Sequence, residues 1–286
     1  MSVEVGLPRL RASWAPPKSR TRGWIKVGLV VAAILFAALV LPVLAPYGSV
    51  EVLKGHELQA PSSAHWFGTD INQMDVFSRV LAGARVDIGI AVISTLAAFV
   101  VGFPLGIVVG YYSGIGSAIF LRLLDMVQAF PVLVLVLALV VLTGGGTTNV
   151  IYAQVFVGTP IMVRVVRSVV ISLREERYIE AAVATGNTDR RLLLRHVAPH
   201  ALPVALIQAT ILMASALILT TSLSFIGIGV RAPAAEWGSM VALGSQDLAS
   251  GQWWTIVFPG VAIAVSVFLF NLLGQLLRRQ FAGAES

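Results

Sequence analysis

"EAAVATGNTDRRLLLRHVAP", residues 180–199, lies between long apolar runs. It is charged, carries a glycine at its seventh position and closes on a proline. Which side of a membrane this segment occupies, and what shape it takes, decide how the whole chain is read.

The surrounding chain is oily. Of 286 residues, 57% are hydrophobic and only 12% are charged. A soluble domain is about half apolar and about a quarter charged. The excess points to an all-α polytopic membrane protein. There is no cysteine, which excludes disulfides, thiolate chemistry and cysteine-ligated metal.

A helix crossing about 30 Å of hydrocarbon needs about 20 mostly apolar residues. Five runs meet this: Trp24–Pro46, Val86–Tyr112, Ile119–Leu142, Pro203–Ile228 and Trp254–Leu277. Asn149–Leu173 is a sixth and weaker one, because Arg164 and Arg167 interrupt it on one helix face. Trp24–Pro46 follows a basic segment, but its apolar run exceeds the roughly 7–15 residues of a secretory signal, and Pro42 is no cleavage signature. It reads as a retained anchor.

Six spans put both termini on one side. With the N-terminus inside, the outer segments hold Lys54, Arg79, Arg85 and Arg231, and the other sixteen of the 20 Lys and Arg fall on cytosolic segments or span ends. This positive-inside bias accounts for a net charge of +6 without nucleic acid. The map is then a cytosolic tail (1–23), a first span (24–46), an outer loop (47–84), a membrane core (85–279) with a cytosolic loop at 174–202, and a cytosolic tail (280–286). A second outer segment, 229–253, carries Trp237 and Trp253, with Trp254 just beyond. Trp253 and Trp254 suit the water–lipid boundary.

The opening segment belongs to that cytosolic loop. Glu175, Glu176 and Glu180 sit early in an expected helix, where acids complement the dipole. Ala181, Ala182 and Ala184 favour helix and permit close approach. Gly186 fits a helix end that needs positive φ. Asn187 or Thr188 caps a second short helix over Arg190–Val197, which is expected to give way at Pro199. Leu192–Leu194 are expected to pack beneath the membrane domain. An amphipathic loop lying on lipid headgroups and a docking surface for a protein partner both satisfy this pattern.

Other clusters carry less. No lysine follows a glycine, so there is no P-loop. His196 and His200 are four apart, a metal-ligand spacing, but Pro199 between them is expected to break the helix and no third ligand is evident. Gly144–Gly146 reads as a flexible turn. Arg122 is expected to pair with Asp125. Asp87 is an acid at the start of a span. Gln128, Gln154 and Gln208 are polar residues within spans, able to line a path or to bond between helices. A secondary transporter or channel would show ionisable residues or broken helices at the midplane. An intramembrane enzyme would show paired acids, a metal cluster or a nucleophile with its base.

The opening segment resembles the Glu-Ala-Ala signature of ABC importer permeases. Glu180-Ala181-Ala182 is followed after three residues by Gly186, and Pro199 closes the pattern, with His196 and Ala198 at positions usually hydrophobic and Leu. "FGTDINQMDVFSRVLAGAR" (67–85) resembles the pre-span segment of the dipeptide/oligopeptide/nickel branch, with Gln73 and Met74 replacing its usual Gly-Arg. "SLSFIGIGVRAPAAEWGSM" (222–240) and "FPGVAIAVSVFLFNLLGQLLRR" (258–279) resemble further segments of that branch. The long first outer loop resembles the C-type subunit.

The resemblance implies a type I ABC importer permease fold with six transmembrane helices. It implies a bacterial inner-membrane location, a homologous second permease, two cytosolic ATPases carrying ATP and magnesium, and an extracytoplasmic solute-binding protein. It implies no cofactor on this chain. It assigns ATPase coupling to Glu180, Ala181, Ala182, Gly186, His196 and Pro199.

Overall fold

The computed structural model describes residues 20–231 and 233–282. The basic tail with Arg9, Arg11 and Lys18 lies outside the described residues, as do residues 283–286 and the side chains of Glu180 and Ala181.

The first helix, α1 (Arg20–Leu39), ends in a 3-10 turn over Leu41–Leu44. Val27, Val30, Ile34 and Ala38 are buried along it, while Ile25 and Leu29 are exposed. That spacing makes one apolar stripe, which lies against the last helix; there Trp24 meets Phe281 edge-on.

The second helix, α2 (Val76–Tyr111), starts ten residues before the expected span at Val86. Asp75 is the reason. Its Oδ2 accepts the Ser78 backbone N–H at 2.8 Å and the Ser78 hydroxyl at 2.7 Å, and its Oδ1 takes His65 Nδ1 at 3.0 Å. The helix is therefore capped in the outer loop before it enters apolar sequence.

Ile119–Leu142 is not one straight helix. α3 (Ile115–Gln128) and α4 (Val132–Leu142) meet at 87°. Pro131 removes a backbone donor and drives Phe130 out of helical geometry. Asp125 on α3 pairs with Arg164, which lies on the later helix α5 (Thr147–Arg174), rather than with Arg122. Three residues of separation place Arg122 and Asp125 on one face of a short helix, and α5 lies across that helix.

The run that reads as weakest in sequence forms α5 (Thr147–Arg174), and it packs along α2. Gly102, Gly106 and Gly110 of α2 form a track with a four-residue repeat. A Cβ at these positions would fall 2.8, 2.7 and 2.8 Å from the Cβ atoms of Met162, Val166 and Val170. Glycine is what lets the two backbones approach this closely, and packing of this kind drives helix association in lipid.

After the loop at 174–202 comes the long apolar helix α8 (Ala198–Phe225). Then come the short outer helix α9 (Trp237–Asp247) and the last helix, α10 (Trp254–Ala282). By length and hydropathy, Val76–Tyr111, Thr147–Arg174, Asp189–Phe225 and Trp254–Ala282 can each cross a membrane; the bent pair makes a fifth when counted as one span, and Gly23–Leu39 is a shorter apolar helix.

Trp254 is buried, with its Nε1 donating to the Thr69 carbonyl at 3.2 Å, and Trp237 is buried with its Nε1 on the Val80 carbonyl at 2.9 Å. Of the expected pair of boundary tryptophans, only Trp253 is exposed. The difference arises because the outer loop folds back on α2 and α10 and covers Trp254. Phe67 stacks on Phe258 at 3.8 Å in the same contact.

Candidate coupling loop and translocation cavity

The loop at 174–202 is helix, glycine turn, helix. α6 (Arg177–Ala184) ends at Gly186, whose φ is +79°. The Gly186 N–H reaches the Val183 carbonyl at 2.9 Å, and the Asn187 side-chain amide reaches the Ala182 carbonyl at 2.9 Å. These bonds satisfy carbonyls that the helix end leaves open. A Cβ on Gly186 would meet nothing within 4 Å. Glycine is needed there for backbone conformation, not for space.

α7 (Asp189–Leu192) begins after Thr188 and does not give way at Pro199. It passes through a π-turn at Leu193–Val197 into α8, so that Asp189–Phe225 is one helix. The Ala198 N–H bonds the Leu193 carbonyl, five residues back. The extra residue in that turn accommodates the proline ring, which would otherwise meet the carbonyl four residues earlier. Pro199 itself lies in the first turn of α8. His200 Nδ1 turns to the His196 carbonyl, and among the described residues no group of three potential metal ligands gathers.

The loop is seated on the membrane core. Ile179, Leu192 and Val197 are buried in one cluster with Ile107, Val166 and Val170, and Ala182 packs against it. Ala182 thus faces the core rather than an open surface. Leu194 stays exposed, unlike Leu192, because it points to the opposite side of the helix. Asp189 accepts hydrogen bonds from Tyr111 and Tyr112 at the end of α2, at 2.9 and 3.3 Å.

Higher in the molecule, α2, α5 and α8 enclose a cavity of about 250 Å³, with Val132 of α4 at its edge. Ser94, Thr95, Gln154, Gln208 and Ser215 give it polar wall among apolar side chains. Gln154 bridges helices: it accepts Ser94 Oγ at 2.8 Å and donates to the Ala216 carbonyl at 3.0 Å and Thr220 Oγ1 at 2.7 Å. Gln208 stands in the same wall, while Gln128 ends α3 outside it. Sequence reasoning missed Ser94, Thr95 and Ser215; small hydroxyls in apolar runs carry no signal until the helices are assembled.

The outer side holds a buried acid pair. Asp87 Oδ2 accepts the Trp237 backbone N–H at 2.9 Å. Glu236 caps α9 through the N–H groups of Gly238 and Ser239, at 2.8 and 2.7 Å. Both carboxyls are fully buried. Burial pushes the Glu236 carboxyl up, against the N–H groups that favour its charged form. Nearby, the expected flexible turn Gly144–Gly146 is tied down: the Gly146 N–H reaches the Gly229 carbonyl at 3.2 Å, and Arg231 reaches the Gly144 carbonyl.

The pre-span segment is explained residue by residue. Gly68 has φ +73°, and a Cβ there would sit 2.4 Å from the Gln59 carbonyl. Asp70 Oδ1 accepts the Met74 N–H at 2.9 Å, and Asp70 lies 3.6 Å from Arg79. Gln73, where the resembling family has glycine, takes φ +60°. Its side chain compensates by accepting the Gly55 N–H at 2.9 Å.

Comparison with known proteins agrees with this arrangement. A family model described as "Binding-protein-dependent transport system inner membrane component" matches residues 102–283. The chain is 36% identical over 253 residues to the dipeptide transport system permease protein DppC of Alkalihalophilus pseudofirmus, covering 88% of this chain and 83% of that one. It is 34% identical over 264 residues to the glutathione transport system permease protein GsiD of Pectobacterium atrosepticum, covering 90% and 87%. Among solved structures, the inward-facing MetNI methionine ABC transporter matches with a TM-score of 0.55 at 21% identity, over 70% of this chain and 95% of that chain. That likeness concerns the fold. The chain is a multi-pass permease subunit of an ABC importer, a transport component rather than an enzyme, and such a subunit works with ATPase and binding-protein partners. With most of its membrane core matched and its loop and cavity built as described, the chain belongs to the family of binding-protein-dependent transport system inner membrane components.

Proposed function

We propose that this permease forms half of a pore that imports di- or oligopeptides, with a homologous second permease as the other half. Residues 174–202 dock on a cytosolic ATPase. ATP and magnesium are held by two such ATPases, and an extracytoplasmic binding protein delivers the peptide to the outer face. Both termini are cytosolic, as the charge bias requires.

The observation that carries the peptide reading is the similarity, over most of the chain, to dipeptide and glutathione permeases. The polar and apolar wall of the 250 Å³ cavity suits a ligand with amide groups and mixed side chains. The loop supports the coupling reading: a rigid helix, set at a fixed angle by Gly186, transmits displacement as a lever. In this reading Glu180 anchors the lever, Ala181 and Ala182 keep it slim, and His196 and Pro199 belong to the π-turn that joins it to α8.

The test is uptake of labelled dipeptides in a strain lacking this gene, with and without complementation. Restored uptake supports the reading. Restoration of nickel-chelate or haem uptake with no effect on peptides would overturn the substrate class.

A further inference from the structure

Asp189 opens α7, and its two carboxylate oxygens each take a different tyrosine: Oδ1 the Tyr111 hydroxyl at 2.9 Å, and Oδ2 the Tyr112 hydroxyl at 3.3 Å. Successive helical residues point about 100° apart, so neighbouring tyrosines do not ordinarily share a partner. Here α2 ends between them. Tyr112 has left helical geometry, with φ −90° and ψ 102°, and its ring turns to the same carboxylate. Arg174, the last residue of α5, places its guanidinium 5.5 Å from the centroid of the Tyr111 ring. Three helices therefore meet in one polar node.

The node is not core. Asp189, Tyr112 and Arg174 are exposed and Tyr111 is half-buried, and a cavity of about 580 Å³ separates the node from part of α6. Exposed hydroxyl–carboxylate bonds contribute little to folding. What they do is add a directional tie between the end of α2 and the start of α7, at the rim of the apolar cluster that seats the loop. α8 moves with the loop, because Asp189–Phe225 is one helix. α5 runs into the loop through the short turn at Glu175 and Glu176, and its Val166 and Val170 pack against the loop's Ile179 and Leu192. α2 is remote from it along the chain, since Tyr111 and Asp189 are 78 residues apart. Yet α2 carries Ser94 and Thr95 into the cavity wall, and the glycine track locks α2 to α5.

We propose that Asp189 is a positioning residue that fastens the end of α2 to the coupling loop, so that displacement of the loop moves the α2–α5 wall of the cavity together with α8. This rests on the reading of residues 174–202 as the ATPase-docking loop. Without the fastening, less of a push on the loop reaches the end of α2, and more ATP is hydrolysed without the cavity changing access. The fastening stays closed throughout the cycle, since it transmits motion rather than gating it.

The test uses the complete reconstituted importer and reads labelled dipeptide moved per ATP hydrolysed. Replacing both tyrosines (Tyr111→Phe with Tyr112→Phe) lowers this ratio about threefold or more, and adding Asp189→Asn lowers it no further. The chain has no cysteine, so Tyr112→Cys with Asp189→Cys, with cysteine-free partners, places a cross-link at this one site. The double-cysteine complex is uncoupled, and a short bis-maleimide restores the ratio at least halfway, which a role in folding alone does not explain. A normal ratio in the phenylalanine pair, or no recovery on cross-linking an assembled complex, overturns the proposal. Gly186→Val separates the two readings. If it uncouples while the tyrosine variants do not, only the fastening fails; if it also leaves the ratio normal, the docking loop itself is wrong.

Discussion

Asp87 accepts the backbone N–H of Trp237 at 2.9 Å across 150 residues of sequence, and so pins the outer helix α9 to the second membrane helix. The other Asp87 oxygen is buried with no donor among the described residues, beside Glu236, whose oxygens are already bonded to two N–H groups. That oxygen faces a second carboxyl, and an amide in its place has a donor to offer Glu236. Asp87→Asn, whose amide can accept from Trp237 and donate to Glu236, is therefore expected to fold and unfold much as the unmodified chain. Asp87→Leu strands the Trp237 N–H and is expected to cost about 1–3 kcal/mol. Thermal unfolding in detergent decides: equal damage from both substitutions would remove the Trp237 bond as the cause.

The glycine track predicts a position-specific penalty. In Gly106→Leu the new Cβ lies 2.7 Å from Val166 Cβ and 2.9 Å from the Val163 carbonyl, so α2 and α5 must part. Overpacking of this kind costs about 1–3 kcal/mol. Gly89 lies on the same helix with nothing within 4 Å of its Cβ position. Gly89→Ala is expected to gain about 0.5–1 kcal/mol from helix propensity. Similar stability changes at the two sites would remove the track as the cause.

Gly186→Val places a β-branched residue at φ +79°. The left-handed conformation costs an L-residue about 1–2 kcal/mol, and the turn angle is expected to shift to relieve it. The complex should assemble and hydrolyse ATP but lose uptake. Gly186→Asn, which tolerates this region, should keep most of it. Normal transport by the valine variant would remove the lever role.

Gln154 and Gln208 share a cavity wall but differ in task. Gln154→Leu breaks three bonds joining α2, α5 and α8. Bonds between membrane helices average about 0.6 kcal/mol, so the summed loss should be about 1–2 kcal/mol, read in a detergent unfolding curve. Gln208→Ala should leave that curve within about 0.5 kcal/mol and raise the KM for peptide uptake. An unchanged KM would take Gln208 out of the path.

Much of this was legible in the chain itself. Apolar runs of about 20 residues located the membrane helices, because every backbone polar group in lipid has to be satisfied within its own segment. Gly186, followed by a new cap position, located the turn between two short helices. The four-residue glycine spacing at 102, 106 and 110 was also present in the sequence, although spacing alone names no partner. Other features were hidden. Pro199 looked like a helix end, because the sequence does not show that a π-turn will absorb its ring. Arg122 looked like the partner of Asp125, because local spacing carries no information about α5.

The membrane class, the approximate spans and the helix–turn–helix of the loop follow from the chain alone, since hydrophobic length and backbone conformational preference act over neighbouring residues. Which helices touch was left to tertiary packing. It set α5 of the weak run against α2, drew Ser94, Thr95, Gln154 and Gln208 around one cavity, buried Trp254, and brought Asp87 to Trp237 and Asp189 to Tyr111. These contacts depend on shape complementarity between surfaces far apart in the chain. No local pattern encodes that complementarity until the helices are packed.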